Sequence, residues 1–158
     1  MAGTQRPFSG YRVLDLTQGV AGPYATMLLA LNGADVLKVE PLEGDWARRL
    51  GAVAGQQSVN FLAYNRGKRS LAVDLKTEAG KQAMHAAVAQ CGIVVESFRP
   101  GVVKRLGLDY DSVRAARPDV VYASVSGFGP QGPDTGRAAV RTLIQAYSGR
   151  MALNGTPG

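Results

Sequence analysis

Cysteine and histidine occur once each in the 158 residues, as Cys91 and His85. A single cysteine excludes an intrachain disulfide framework and a thiolate zinc site, and it suits a reducing cytoplasm. A single histidine leaves Ser-His-Asp chemistry without an obvious base. His85 falls on the outer side of a helical stretch and reads as a solvated surface residue. No apolar run approaches the roughly 18 residues of a membrane span. None follows Met1 to Pro7 either, so no signal peptide is read there. The carboxylates are scattered, and no spacing among them suggests a metal site. What is present is ordinary for a folded domain: 46% hydrophobic and 19% charged residues exclude a disordered or fibrous chain. At this length a real core is expected, whether the chain is one domain or part of something larger.

The charge is not balanced. Lys and Arg number 18 against 12 Asp and Glu, for a net charge of +6. A basic surface fits nucleic acid, an acidic membrane or a phosphorylated small ligand. Here the cations form small clusters between elements: Arg48-Arg49, Arg66 with Lys68-Arg69, Arg99 with Lys104-Arg105, then Arg137, Arg141 and Arg150. There is no basic tail and no single basic helix face. The distribution favours a small anionic ligand over nucleic acid or membrane.

Hydrophobic patterning alternates strands with helices. Tyr11 to Leu16 reads as a strand, and Thr17 to Gly22 as a turn. Pro23 is expected at the first position of a buried helix that runs from Tyr24 to Leu31 and is stopped by Asn32-Gly33. Asp35 to Glu40 completes a βαβ unit. Pro41 to Ser58 reads as a long irregular loop whose length argues for function. Ser70 to Leu75 is a further strand. Thr77 caps a helix to about Gln90, with Ala79, Ala83, Met84, Ala87, Val88 and Cys91 as its inner stripe. Strands at 93–96 and 120–124, short helices after Gly101 and from Tyr110 to Ala116, a Gly/Pro loop at 127–136 and a helix from Ala139 to Met151 follow. This order implies an α/β fold with a mostly parallel sheet, buried on both faces.

Two stretches are candidates for anion binding. Gly19-Val20-Ala21-Gly22 brings backbone N–H groups to the start of a helix at the carboxyl end of a strand. It reads either as an anion site or as a plain turn that needs small residues. Asn65-Arg66-Gly67-Lys68-Arg69 reads either as a phosphate clamp or as a solvated turn. Gly127 to Gly132 spells G-x-G-x-x-G, but Pro130 and Pro133 oppose a helix there and no acidic residue follows Asp134, which argues against a nicotinamide cofactor. Cys91 reads as a packed core thiol.

Five stretches together resemble the N-terminal part of the family III CoA-transferases, the group that holds formyl-CoA and carnitine-CoA transferases and 2-methylacyl-CoA racemases. They are RVLDLTQGVAGPYATMLLALNGADVLKVEP at 12–41, GDWAR at 44–48, NRGKRSLAVDLKTEAGK at 65–81, VVESFRPGVVKRLGLDYDSVRAARPDVVYASVSGFGPQGP at 94–133 and LIQAYSG at 143–149. The resemblance implies a Rossmann-like, mostly parallel sheet with helices on both faces, the N-terminal portion of the family's large domain. It also implies transfer of CoA between carboxylic acids, with acyl-CoA as substrate, no separate cofactor and no metal, in an interlocked homodimer.

Carried over position by position, CoA contacts fall on Val20 and Ala21, on Val73, Asp74, Leu75 and Lys76, on Ser97, Phe98 and Arg99, and on Arg105. The family's nucleophilic aspartate is expected beyond Gly158, so this stretch is expected to be inactive alone, with the small domain and the returning C-terminal segment also outside it. Arg141 stands where family members usually carry a carboxylate, and Ser97 where Asn is common. Alternatives are a non-catalytic acyl-CoA-binding piece, one subunit of a split enzyme, a racemase-like enzyme, or, from another class, a basic nucleic-acid-binding domain. The last would show steep salt dependence with duplex DNA and no response to CoA.

Overall fold

The computed structural model describes residues 5–54 and 57–153. The chain divides into two compact units, Met1–Val125 and Ser126–Gly158.

In the first unit the order is β1 (Arg12–Leu16), α1 (Ala21–Leu31) and β2 (Asp35–Glu40), then a 3-10 turn (Trp46–Arg49) and a short antiparallel pair, β3 (Val53–Ala54) and β4 (Gln57–Ser58). Next come α2 (Val59–Asn65), β5 (Arg69–Ala72), α3 (Glu78–Gln90), β6 (Ile93–Glu96), α4 (Val102–Leu106), α5 (Tyr110–Ala116) and β7 (Val121–Ser124). Five strands form one parallel sheet in the order β5-β2-β1-β6-β7. The alternating pattern read from the sequence therefore gives the expected parallel α/β architecture.

Strand alternation sends successive side chains to opposite faces of this sheet. Leu14, Leu16, Val39 and Val94 point to one face and pack with Met84, Val88 and Cys91 of the α3 segment, with Leu108 and with Val113 of α5. Val13, Val36 and Val95 point to the other, against Ala30 and Ala34. Further along, the α1 face turns polar. Asp15 pairs in register with Lys38, and Lys38 with Ser70. Asp15, Lys38 and Glu40 are all buried.

Several expectations need correction. Helix α1 starts at Ala21, so Pro23 is its third residue rather than its first. Proline is tolerated there because first-turn N–H groups have no intrahelical acceptor. The helix is not buried all round: Tyr24, Leu28 and Leu31 are exposed, while Gly22, Pro23, Thr26, Met27 and Ala30 face inward. The 41–58 stretch is not irregular throughout, since Asp45 caps the 3-10 turn and Ser58 caps α2, a helix not read from the sequence. Strand β5 spans only Arg69–Ala72, leaving Val73 to Lys76 as a loop. On α3 the inner side is Gly80, Met84 and Val88, whereas Ala79 and Ala83 are exposed. His85 is exposed, as read.

In the second unit, α6 spans Arg141–Tyr147 and a 3-10 turn spans Arg150–Leu153, in place of one helix over 139–151. The Gly127–Gly132 stretch consists of bends and opens no helix. Within this unit Phe128 and Tyr147 meet edge to face, and Arg137 lies over the Tyr147 ring.

Candidate functional site

The strand order reverses direction at β1. From there the chain winds outward through β2 to β5, then crosses back to place β6 on the other side of β1. Such a switch point leaves a crevice at the carboxyl ends of the central strands, where open α/β sheets bind ligands. Here the two sides of the crevice are tied together: the N–H of Gln18, just after β1, donates to the Ser97 hydroxyl, just after β6, at 3.2 Å.

Beside that tie lies a cleft of about 220 Å³. Leu16, Val39, Val73, Leu75 and Phe98 give it apolar walls, Gln18, Glu40, Glu43, Asp74 and Lys76 supply polar groups, and Pro41 and Leu42 complete the lining. Five of the residues expected to contact CoA line it: Val73, Asp74, Leu75, Lys76 and Phe98. Ser97 adjoins it through the bond to Gln18. Val20, Ala21, Arg99 and Arg105 do not line it; all four are exposed. Among the described residues, Lys76, Arg99 and Arg105 make no ion pair. The Val73–Lys76 loop is shaped by Asp74, whose carboxylate accepts from the Lys76 N–H at 2.9 Å and whose carbonyl accepts from the Thr77 hydroxyl at 2.9 Å. Thr77 in turn caps α3 by accepting from the Gly80 N–H. Arg141 is exposed at the first position of α6 in the second unit.

Under the turn after β1 lies a set of buried charges. Lys68 is no phosphate clamp, and it is not solvated either. Its ammonium is 2.9 Å from Asp15 Oδ2 and also donates to the Pro23 carbonyl and Asn65 Oδ1, both at 2.8 Å. Those three acceptors use up the three donors of an ammonium. Asp15 further accepts from the hydroxyls of Thr17 and Thr26. Burial opposes both charges. In Asp15 the ammoniums of Lys68 and Lys38 and the Thr17 hydroxyl outweigh it and hold the carboxyl below its usual range, whereas in Lys68 burial prevails and pulls the ammonium down. Arg69 is paired with Asp35 across the sheet edge.

The second buried pair was not read from the sequence. Lys38 Nζ lies 2.9 Å from Asp45 Oδ2 and donates to the Thr17 carbonyl at 2.8 Å. Asp45 also accepts from the Gly19 N–H, so the innermost donor of the proposed anion turn is already engaged. Glu40 is gripped by Nε and Nη2 of Arg48, at 2.6 and 2.7 Å, and accepts from Ser70 and the Asp45 N–H. Burial raises its carboxyl, but these donors together bring it down to about 2. One signal for this set was in view. A lysine in the middle of DVLKVE, a strand buried on both faces, needs an acidic partner.

Residues 8–158 match the family described as CoA-transferase family III. The chain belongs to that family. It is 41% identical over 152 residues to an acetyl-CoA:oxalate CoA-transferase of Acetobacter aceti, covering 96% of this chain and 39% of that protein. It is 38% identical over 154 residues to a succinyl-CoA:glutarate CoA-transferase of Mus musculus, covering 96% and 35%. A crystal structure of a CAIB/BAIF family protein from Brucella suis superposes with a TM-score of 0.90 at 39% identity, over 97% of this chain and 42% of that one. The chain thus spans about two-fifths of the length of these family III relatives. Among the described residues no helix is long and apolar enough to cross a membrane.

Proposed function

We propose that this chain is the CoA-binding part of a family III CoA-transferase, which moves CoA between two carboxylic acids. The observation that carries the reading is the cleft at the switch point, with apolar walls and Lys76 on its rim. Arg99 follows directly after Phe98, and Arg105 sits on α4 close behind in sequence. Neither has an acidic partner among the described residues. Coenzyme A offers a 3′-phosphate and a diphosphate to such cations, and an apolar arm to such walls. Val20 and Ala21, exposed where α1 begins without a side-chain cap, can add backbone N–H groups.

The covalent chemistry in this reading falls to an aspartate beyond Gly158, as the family resemblance implies. That carboxylate attacks the acyl-CoA carbonyl and releases the CoA thiolate, leaving a mixed anhydride. The thiolate attacks the aspartyl carbonyl to give an aspartyl-CoA thioester and free the first acid. The second acid then reverses the two steps. Residues 1–158 hold the leaving CoA between these events, so that the thiolate is not lost to solvent. Residues 1–158 by themselves are inactive in this reading, and the working enzyme is a cytoplasmic homodimer.

Titration calorimetry with CoA tests the binding half of the reading. Saturable binding that weakens with added salt and falls away for pantetheine, which lacks the phosphates, is the expected result. Equal affinity for CoA and pantetheine, or no binding of either, would overturn it.

A further inference from the structure

The strap from Pro41 to Arg49 supplies none of the CoA contacts carried over from the family, yet its Asp45 is fully buried. Its carboxylate accepts from the Gly19 N–H at 3.3 and 3.4 Å and from the Ala47 N–H at 2.9 Å, and lies 2.9 Å from Lys38 Nζ. Two backbone donors, one of them in the turn that leads into α1, and one buried ammonium make an anion site. The chain's own carboxylate fills it.

The same strap grips the turn a second time. Gly19 has a φ of 82°, and the Trp46 ring lies where a Cβ on Gly19 would stand. Gln18, beside Gly19, lines the cleft, as do Pro41, Leu42 and Glu43 from the strap itself. Asp45 therefore connects two walls of the cleft without touching its interior.

We propose that Asp45 is a positioning residue, a built-in anion that fastens the strap to the turn after β1 and so sets the shape of the ligand cleft. For its ligand the proposal rests on the CoA reading above. The anion site itself does not.

The test is refilling. Asp45→Ala leaves a hole faced by the Gly19 and Ala47 N–H groups and the Lys38 ammonium, suited in size and charge to formate. CoA affinity should fall roughly tenfold or more in this variant, the scale of losing hydrogen bonds to a buried charge. Formate should restore much of that affinity and raise the melting temperature. Formamide, of the same shape but neutral, should do neither, and the unaltered protein should respond to neither additive. Unchanged CoA affinity in Asp45→Ala, or a loss that formate and formamide leave alike, would overturn the proposal.

Should Asp45→Ala fold only with formate present, that dependence supports the anion site. Asp45→Asn covers the case in which it does not fold at all, since it keeps an acceptor for the two N–H groups but offers Lys38 no charge. Reduced CoA affinity in Asp45→Asn is expected, and full affinity would overturn the proposal. If the unaltered protein fails to bind CoA, the functional reading falls. A formate-specific rise in melting temperature would then still uphold the anion site, and its absence would remove both.

Discussion

The ammonium of Lys68 lies 2.9 Å from the carboxylate of Asp15, 53 residues earlier in the chain. This pair joins the residue just before β5 to the middle of the sheet, and it does so out of water. Removing one partner of a buried pair strands the other charge, at a cost of about 3–5 kcal/mol. Asp15→Ala should lose stability on that scale in urea unfolding. Asp15→Leu combined with Lys68→Met should lose much less, because neither charge is then left alone. Equal losses in the single and double variants would show that packing, rather than the stranded charge, sets the cost.

Glu40 gives the fold an acid limit. Its carboxyl sits at about 2, below the ordinary value of 4.5, so the unfolded chain takes up its proton first as pH falls. The stability it contributes is complete above about 4.5 and is lost as pH drops towards 2. Glu40→Gln should flatten the pH dependence of stability across this window. Unfolding midpoints measured at a series of pH values would show it, and parallel curves for the two proteins would refute it.

Arg105 tests which phosphate the cations meet. Charge-assisted hydrogen bonds are worth about 1.5–3 kcal/mol, so Arg105→Ala should weaken CoA binding by roughly 10- to 150-fold. If Arg105 meets the 3′-phosphate, dephospho-CoA should lose far less from the substitution; if it meets the diphosphate, both ligands should lose alike. A surface arginine with no ligand would change stability or binding by no more than a few tenths of a kcal/mol. Calorimetric titrations of both ligands against Arg105→Ala and Arg99→Ala decide among these, and unchanged affinity in both variants would remove the patch from the site.

Gly80 offers a route to the cleft from its back. A Cβ there would run into the carbonyl oxygen of Asp74 and crowd Thr77 Oγ1 at 3.0 Å. Alanine is the better helix former by about 1 kcal/mol. Overlap with backbone costs about 1–3 kcal/mol, so the overlap wins and the Val73–Lys76 loop must shift. Gly80→Ala should lower both the melting temperature and CoA affinity. A more stable variant with intact affinity would show that the loop does not depend on this close approach.

The sheet was legible because β1, β2 and β6 carry short apolar runs between turn signals, and α3 shows its helical period, whereas α1 is apolar almost throughout its sequence and hides which face is exposed. The end of strand β5 falls three residues before the Leu75 expected from the sequence, since Val73 and Leu75 look like strand residues but pack at the cleft after the chain has left the sheet. The cleft residues at 73–76 and Phe98 could be named from motif resemblance alone. The charged set beneath them could not. Asp15, Lys38 and Lys68 are far apart in sequence and meet only through the pairing of β1, β2 and β5, while the path of the strap folds Asp45 back onto Lys38. The same long-range pairing turned the apparent phosphate clamp at Lys68 into a structural bolt.

The one thiol of the chain ends α3, buried in the core between the helix and the sheet, where burial raises it above its ordinary range. Cys91 is only 5% exposed, so a thiol reagent reaches it readily when the end of that helix opens. Cys91 is therefore a clock: at saturating reagent its labelling rate counts how often α3 opens, and a ligand that braces the Val73–Lys76 loop at the helix's other end should slow the count.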